Sequence, residues 1–351
     1  MIVVIPTNRT VQLDYLEPLI AAGARFIIID DSEGQIALDH PQFRVYNWAD
    51  RRRMLGDLDV GMPKRNGACR DFGFYVAWKE SDPDEIIIAL DDDCALYHED
   101  FAARVAQTLS VAPRPVANCN GIHLNIIDLY ADVPRDLFPR GFPYSARPLY
   151  RGCALCEAAA REVKFSLGLW KDVFDINAID KLQGPAWSHP HAELRHESVL
   201  IAEEFLVSVC SMNMVFRREV LPAVYQLPMH VPVAPGWVID RYGDIWGGFI
   251  LKALMDLRGD AMAVGGPMIR HLKEGNFQRN IWQEHICHLV NDQFIEILLA
   301  AKTRIRPTGY LEMMGALNEE FRRAAPDCSP LLKVYFEHLT GALEAWIAAL
   351  Q

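Results

Sequence analysis

Three short apolar runs constrain the fold more than any other part of the sequence. Ile2-Val3-Val4-Ile5, Phe26-Ile27-Ile28-Ile29 and Ile86-Ile87-Ile88-Ala89-Leu90 are β-branched and too short to be buried helices. Each therefore predicts a strand covered on both faces, as inside a parallel sheet. A helical stretch from about Val11 to Ala22 separates the first two, so strand, helix and strand follow within the first thirty residues. That order predicts a βαβ unit and an open α/β sheet. All three runs end in polar residues: Pro6-Thr7-Asn8-Arg9, Asp30-Asp31-Ser32 and Asp91-Asp92-Asp93. Ligands of open α/β sheets bind beyond the carboxyl ends of the strands, so these ends are expected to line one crevice.

The acidic triplet is the strongest chemical signal. Folding does not require three consecutive carboxylates, and they repel one another without a counter-cation. Oxygen-only ligation suits Mn2+ or Mg2+ held jointly with substrate phosphates. Asp91 and Asp93 share one strand parity and read as metal-side residues, whereas Asp92 has the opposite parity and is expected to meet a ribose or Arg70. Pro6, Thr7, Asp30 and Asp31 read as substrate-side residues, with a solvated turn as the plain alternative for the two acids. No G-x-G-x-x-G follows the first strand, so the usual dinucleotide turn is absent. Arg70 stands near the start of a helix expected over Asn66–Trp78, where the positive end of the helix also favours an anion. Arg70 is thus placed to reach a diphosphate, with Lys64 and Arg65 as weaker candidates.

With 351 residues, of which 51% are hydrophobic, the chain can bury a full core. Its formal net charge of −11 argues against a general nucleic-acid binder, which needs clustered Lys and Arg. No N-terminal run is long enough for a signal peptide and no stretch reaches the ~18 apolar residues of a membrane span, so a soluble, cytoplasmic protein is expected. Eight cysteines are scattered, with one Cys153-x-x-Cys156 and no second pair to complete a zinc site, which predicts reduced thiols. Residues 1–290 read as a catalytic domain and 291–351 as a C-terminal helical extension, with helical patterns over 282–303, 311–323 and 331–350.

Further segments carry candidates. Val45–Trp48 reads as a strand and Ala49–Gly67 as a charged loop. Between Gly168 and Trp187, Trp170 stands among Asp172, Asp175 and Asp180, an aromatic platform with acids that suits a sugar; the alternative is a surface helix or loop with one anchored tryptophan. Val207–Phe216 reads as a strand in which Asn213 either hydrogen-bonds substrate or is a satisfied core amide. Pro228–Pro235 reads as a loop over a site. Asp244 heads a helix expected over Phe249–Leu257, where a carboxylate also serves as a plain cap. A last strand, Ala263–Ile269, runs into Arg270-His271-Leu272-Lys273.

Several separated motifs occur together: Asn66-Gly67-Ala68-Cys69-Arg70-Asp71-Phe72-Gly73-Phe74, Leu90-Asp91-Asp92-Asp93-Cys94, Arg140-Gly141-Phe142-Pro143-Tyr144-Ser145 and Arg241-Tyr242-Gly243-Asp244-Ile245-Trp246. This set resembles the reversibly glycosylated polypeptides, the UDP-arabinopyranose mutase family, and with it a GT-A-type glycosyltransferase fold having a mostly parallel central sheet. Gly168-Leu169-Trp170, Cys210-Ser211-Met212-Asn213-Met214 and Gly247-Gly248-Phe249 extend the likeness over about residues 2–290. The resemblance implies that the acidic triplet binds a divalent cation and the diphosphate of a UDP-sugar, and that Arg140 is reversibly glycosylated. Without it, Arg140 reads as a phosphate or carboxylate clamp.

The resemblance also implies catalytic roles for Asp175 and Asp244. Trp170, Asn213 and Arg241 are expected to contact substrate, and the likeness to GT-A folds implies His271 as a third metal ligand with Lys273 near the phosphates. Gly243 stands where the family more often has a second acid. The implied activity is metal-dependent interconversion of pyranose and furanose forms of a UDP-sugar. A glycosyltransferase acting on a separate acceptor is the rival, and a homo-oligomer is an expected state.

Overall fold

The computed structural model describes residues 1–351 apart from 33, 135, 184–187 and 273–274. Its N-terminal part follows the apolar runs. Strands β1 (Ile2–Thr7), β2 (Arg25–Asp30), β3 (Phe43–Tyr46) and β4 (Ile86–Leu90) lie parallel in the order β3-β2-β1-β4. Val4 sits between Ile27 and Ala89, and every residue of β1 is buried. Helices α1 (Glu17–Ala21), α2 (Trp48–Leu55) and α3 (Arg70–Glu80) complete this half.

Two segments differ from expectation. The helix expected over 11–22 is cut to α1 by Pro18, which has no N–H and fits only a first helical turn. The loop expected over 49–67 contains α2, a charged helix closed by reciprocal capping: the Asn47 side chain accepts from the Asp50 N–H at 3.2 Å, and the Asp50 carboxylate accepts from the Asn47 N–H at 3.1 Å. In α3, a Cβ on Gly73 would stand 2.4 Å from Val4 Cγ1, so the absence of a side chain there lets the helix lie directly on β1.

The second half widens the sheet. It adds β5 (Cys94–Leu96), α4 (Phe101–Leu109), β6 (Ala112–Cys119), β7 (His123–Leu124), β8 (Cys153–Arg161) and β9 (Val163–Val173). There follow β10 (Ser188–His189), β11 (Ser198–Ile201), β12 (Leu206–Val207), β13 (Asn213–Arg217), β14 (Val231–Ala234), β15 (Trp237–Ile239), α5 (Gly243–Arg258) and β16 (Ala261–His271). Among the described residues the main sheet has 12 strands, with the path β3-β2-β1-β4-β13-β9-β16-β11-β6-β8 and β10 and β5 at its margins. It is parallel from β3 to β4 and mixed beyond, because β13 inserts antiparallel between β4 and β9. The α/β class and the C-terminal helices expected from sequence are present, in an arrangement consistent with a GT-A-like fold. Gly168–Trp170 is neither helix nor surface loop; it lies within β9, paired to β13 and β16.

Helices α6 (Phe277–Lys302), α7 (Tyr310–Ala324) and α8 (Pro330–Leu350) close the chain. They bind tightly to the sheet domain. Trp346 stacks on Tyr225 at 5.2 Å and donates its indole N–H to the Pro222 carbonyl at 2.9 Å, while the Trp78 indole donates to the Leu350 carbonyl at 2.9 Å. Helix α6 runs unbroken through residue 290, and its first turns reach the cleft described below. Among the described residues no helix is long and apolar enough to cross a membrane.

Candidate active site

A cleft of about 880 Å³ opens where the strand ends converge, a size suited to a nucleotide-sized ligand. Arg70 from the start of α3, Asp91 and Asp93 following β4, and His271 ending β16 line one part of it. Arg140, Asp175, Arg241 and Asp244 line another.

Arg70 is 1% exposed and holds the first part together. Its guanidinium donates to the Gly67 carbonyl at 3.2 Å, to the Ser211 carbonyl at 2.6 Å and to Asp91. The carboxylate that meets Arg70 is thus Asp91, and the expected pairing with Asp92 is not formed. Asp92 turns instead towards the strand ends, where it accepts from the Thr7 hydroxyl and from Arg9. Arg9 also donates to Asp93 at 3.0 Å. Two arginines, reaching in from α3 and from the end of β1, therefore partly balance the triplet.

The remaining imbalance falls on Asp93. Burial raises its pKa, Asp91 and Asp92 raise it further, and nearby His271 partly offsets them. The His271 Nδ1–H donates to the Val173 carbonyl at 2.9 Å. A carbonyl can only accept, so Nδ1 carries the hydrogen, and in the neutral imidazole Nε2 is the nitrogen free to take a metal. Among the described residues no three His, Cys, Asp or Glu side chains already form a closed metal cage. The donor set fits a hydrated Mn2+ or Mg2+ that draws its other ligands from substrate phosphates.

The second part centres on Arg140, whose side chain is 7% exposed. Its Nε donates to both oxygens of Asp175, at 2.9 and 3.2 Å. Its Nη2 donates to Asp244 Oδ2 at 2.9 Å, and Nη1 donates to Asp244 Oδ1 at 3.3 Å and to the Arg241 carbonyl. Burial disfavours the guanidinium charge, but the two carboxylates outweigh it and push the pKa of Arg140 well above its usual value. Burial likewise works against charge on Asp175, yet Arg140 and the Cys210 thiol bring that carboxyl down to about 2.

The backbone around Arg140 is fixed as firmly as its side chain. The Arg140 N–H donates to the Asp175 carbonyl at 2.8 Å, and the Asn291 amide donates to the Gly141 carbonyl at 3.1 Å. Gly141 has φ 87°, and a Cβ there would lie 2.4 Å from Ile245 Cγ2. Glycine after Arg140 is thus required twice, by the backbone angle and by the approach of α5.

Ser211 joins the two parts. Its carbonyl accepts from Arg70, and its N–H donates to Asp244 Oδ2 at 3.3 Å. A continuous path therefore runs Asp91–Arg70–Ser211–Asp244–Arg140–Asp175.

Other sequence candidates lie elsewhere. Trp170 is 2% exposed and stacks on Phe174 at 5.4 Å; it belongs to the core and does not line the cleft. Asn213 is fully buried in the core and donates to the Pro267 carbonyl at 2.9 Å, but its Oδ1 accepts no hydrogen bond, so it is a core amide satisfied on its donor side alone. Asp30 accepts from the backbone N–H groups of Ser32 at 2.8 Å and Ile36 at 3.1 Å, shaping the turn after β2. Asp31 accepts from the Trp48 indole at 2.7 Å. Pro6 pairs with Ile29 inside the sheet, and Lys273 lies outside the described residues. Arg241 does line the cleft, with φ 63° and its Nε bonded to the buried Glu284 at 3.0 Å.

Sequence reasoning missed Ser211 and Cys210 as site residues, although both fall in a motif it quoted. It also missed the start of α6, where Asn276, Arg279 and Gln283 face the cleft. The signal for that turn is Asn276 itself, whose side chain caps the helix by accepting from the Arg279 N–H at 3.0 Å.

Comparison with known proteins decides the family. The family model described as "Reversibly glycosylated polypeptide" matches residues 1–351. This chain belongs to the reversibly glycosylated polypeptide family. It is similar to a protein named "Probable UDP-arabinopyranose mutase 4" from Arabidopsis thaliana, 28% identical over 363 residues, covering 99% of this chain and 89% of the relative. It is also similar to "UDP-arabinopyranose mutase 1" of the same plant, 27% identical over 359 residues with 99% and 91% coverage. "Probable UDP-arabinopyranose mutase 2" of Solanum tuberosum is 28% identical over 360 residues, with 99% and 88% coverage. As a reversibly glycosylated polypeptide, the chain matches its relatives beyond residue 290, through the C-terminal helices.

Proposed function

We propose that this chain is a UDP-sugar mutase that exchanges pyranose and furanose forms of a pentose, of the UDP-arabinopyranose/UDP-arabinofuranose type, through transient glycosylation of Arg140. The observation that carries the reading is Arg140 in the cleft wall between Asp175 and Asp244, linked through Ser211 to the basic and acidic groups suited to a diphosphate.

A protonated guanidinium is no nucleophile, so the reaction needs a base at Arg140. Asp244, which already accepts from both Nη groups, is placed to take an Nη proton as that nitrogen attacks the anomeric carbon. The anomeric C–O bond breaks and its electron pair leaves with UDP. Asp175 holds Nε and so keeps the guanidinium plane oriented towards the sugar. The arginine-bound pentose then opens and recloses through a different hydroxyl. Returning UDP attacks the anomeric carbon, Arg140 leaves, and Asp244 gives the proton back. Asp91, Asp93 and His271 would hold the divalent cation, which when bound neutralises charge on the departing diphosphate. Arg70 lies beside that position and adds a fixed positive charge.

Incubation of the purified protein with UDP-arabinofuranose and Mn2+, followed by chromatography of the nucleotide-sugars, tests the reading. Conversion to the pyranose is expected, and no conversion overturns it. UDP release that requires an added glycan, lipid or small-molecule acceptor points instead to a glycosyltransferase.

A further inference from the structure

Away from the cleft, two thiols face each other at the neck of the segment that carries Arg140. Strands β6 and β8 pair antiparallel, and their register sets Cys119 directly opposite Cys153. The chain between them, residues 120–152, holds Arg140. Directly opposed residues of an antiparallel pair project to the same face with Cα atoms about 4.5–5.5 Å apart. That spacing falls within the ~4.4–6.8 Å a disulfide spans. Both thiols are half-buried and make weak contacts: Cys119 Sγ to the His123 carbonyl at 3.3 Å and the Gly121 carbonyl at 3.9 Å, and Cys153 Sγ to the Ala154 carbonyl at 3.5 Å. Cys156, three residues along β8, is exposed and points to the opposite face.

A second observation concerns access. A small hollow of about 300 Å³ opens beside Cys153, lined by Phe138, Tyr150, Arg151 and Arg195 together with Asp128. Arg151 and Arg195 are exposed, and Arg195 acts electrostatically on the Cys153 thiol in the direction of the thiolate. Asp128 also lines the hollow, where it accepts from the Tyr150 hydroxyl at 2.8 Å and from the Cys153 N–H at 2.9 Å, and its charge opposes that of Arg195 by raising the Cys153 thiol. The hollow thus offers two cations and an aromatic wall next to a thiol. That chemistry suits a small disulfide carrying carboxylates.

We infer that Cys119 and Cys153 form a thiol–disulfide exchange site, which takes a small anionic disulfide of the glutathione type at Cys153 and closes to a Cys119–Cys153 bond at the neck of the Arg140 segment. The inference is independent of the reaction proposed for Arg140. Cys153 loses its proton and attacks one sulfur of the small disulfide, whose S–S bond breaks to release one thiol. Cys119 then loses its proton and attacks the Cys153 sulfur, releasing the second. Two protein thiols are oxidised by two electrons and one small disulfide is reduced to two thiols. Burial raises the Cys153 thiol to about 11 and the Cys119 thiol to about 12, so exchange is slow at neutral pH and answers to sustained oxidant. The closed form ties a long segment and is expected to raise the thermal midpoint by a few degrees.

The test uses the full chain with Cys156→Ser, incubated with oxidised glutathione and mapped by peptide mass spectrometry. A Cys119–Cys153 linked peptide is expected, and Cys119→Ser should instead accumulate glutathione on Cys153. Arg151→Gln with Arg195→Gln should slow that adduct severalfold while leaving reaction with an uncharged disulfide unchanged. The inference is overturned if both thiols remain free at oxidant levels that modify Cys156 in the parent chain. Pairing with any other cysteine also overturns it, as does an adduct rate indifferent to the two arginines.

Discussion

Arg140 and Asp244 meet side by side, with Nη2 to Oδ2 at 2.9 Å and Nη1 to Oδ1 at 3.3 Å. The arrangement is bidentate and buried, and Asp175 holds the third edge of the guanidinium. Removing Arg140 would leave two carboxylates in the cleft wall without their counter-charge. Arg140→Ala should therefore cost about 3–5 kcal/mol of stability, read by urea unfolding. Arg140→Gln, which keeps hydrogen-bonding capacity, should fold at lower temperature yet take up no sugar mass from the UDP-sugar. Full labelling of that variant would remove Arg140 from the mechanism.

Asp244→Asn preserves shape while removing the carboxylate that accepts from both Nη groups. kcat should fall by at least ~100-fold, with KM changed only a few-fold. A variant retaining near-parental kcat would show that the proton leaves Arg140 by another path.

Divalent cation and the acidic triplet should act together. Dialysis against a chelator is expected to weaken UDP binding, and Mn2+ to restore it. Asp93→Asn should lower Mn2+ affinity on the order of 10-fold or more by calorimetry in the presence of UDP. Equal UDP affinity with and without the cation would rule the metal out of nucleotide binding.

Stability should depend on pH through His288. Its Nδ1 lies 2.8 Å from the Tyr242 hydroxyl, and burial lowers its pKa to about 4. An unfolded histidine titrates near ~6.5, so between about 6.5 and 4 the unfolded chain binds more protons and stability rises with pH. The contribution is complete above about 6.5 and is lost as pH falls through that window, on the order of 3 kcal/mol in total. His288→Gln should flatten this slope in unfolding measured from pH 7 to 4. Asp175, down at about 2, acts in the same direction but in a separate window, losing its contribution only as pH falls from about 4 towards 2.

Packing makes a sharper demand at Gly168. A Cβ there would lie 2.1 Å from Asn213 Nδ2, in the fully buried contact between β9 and β13. Gly168→Ala should cost about 2–3 kcal/mol, seen as a lower thermal midpoint. An unchanged midpoint would mean that the two strands can separate at no cost.

The parts of this architecture legible in sequence are those where local pattern and burial agree. β1, β2, β4 and the three final helices follow their apolar runs. α2 was not legible, because its run of Asp50, Arg51, Arg52 and Arg53 gives no apolar stripe, its buried face being carried in part by Arg51 paired with Asp59, and its boundary depends on the Asn47–Asp50 cap. Trp170 reads as a sugar platform while β9 is unplaced, and as core once β13 and β16 flank it. Arg140, Asp175 and Asp244 were legible as separate motifs. Their contact was not, because it joins a loop, a strand end and a helix start that only the tertiary fold brings together. The partner of Arg70 depended on the turn after β4, where strand parity no longer governs side-chain direction.

Ser211 gives the cleft a property that neither group of charged residues has alone. Its carbonyl accepts from Arg70 and its N–H donates to Asp244, so two successive peptide units meeting at one Cα serve the two groups. A ligand that draws Arg70 away from Asp91 must also disturb the group that serves Arg140. Occupancy by the leaving diphosphate and proton affinity at the arginine are therefore thermodynamically linked, and the linkage must be reciprocal. In the reaction proposed for Arg140, a diphosphate held at Arg70 would therefore bear on the guanidinium that receives the sugar.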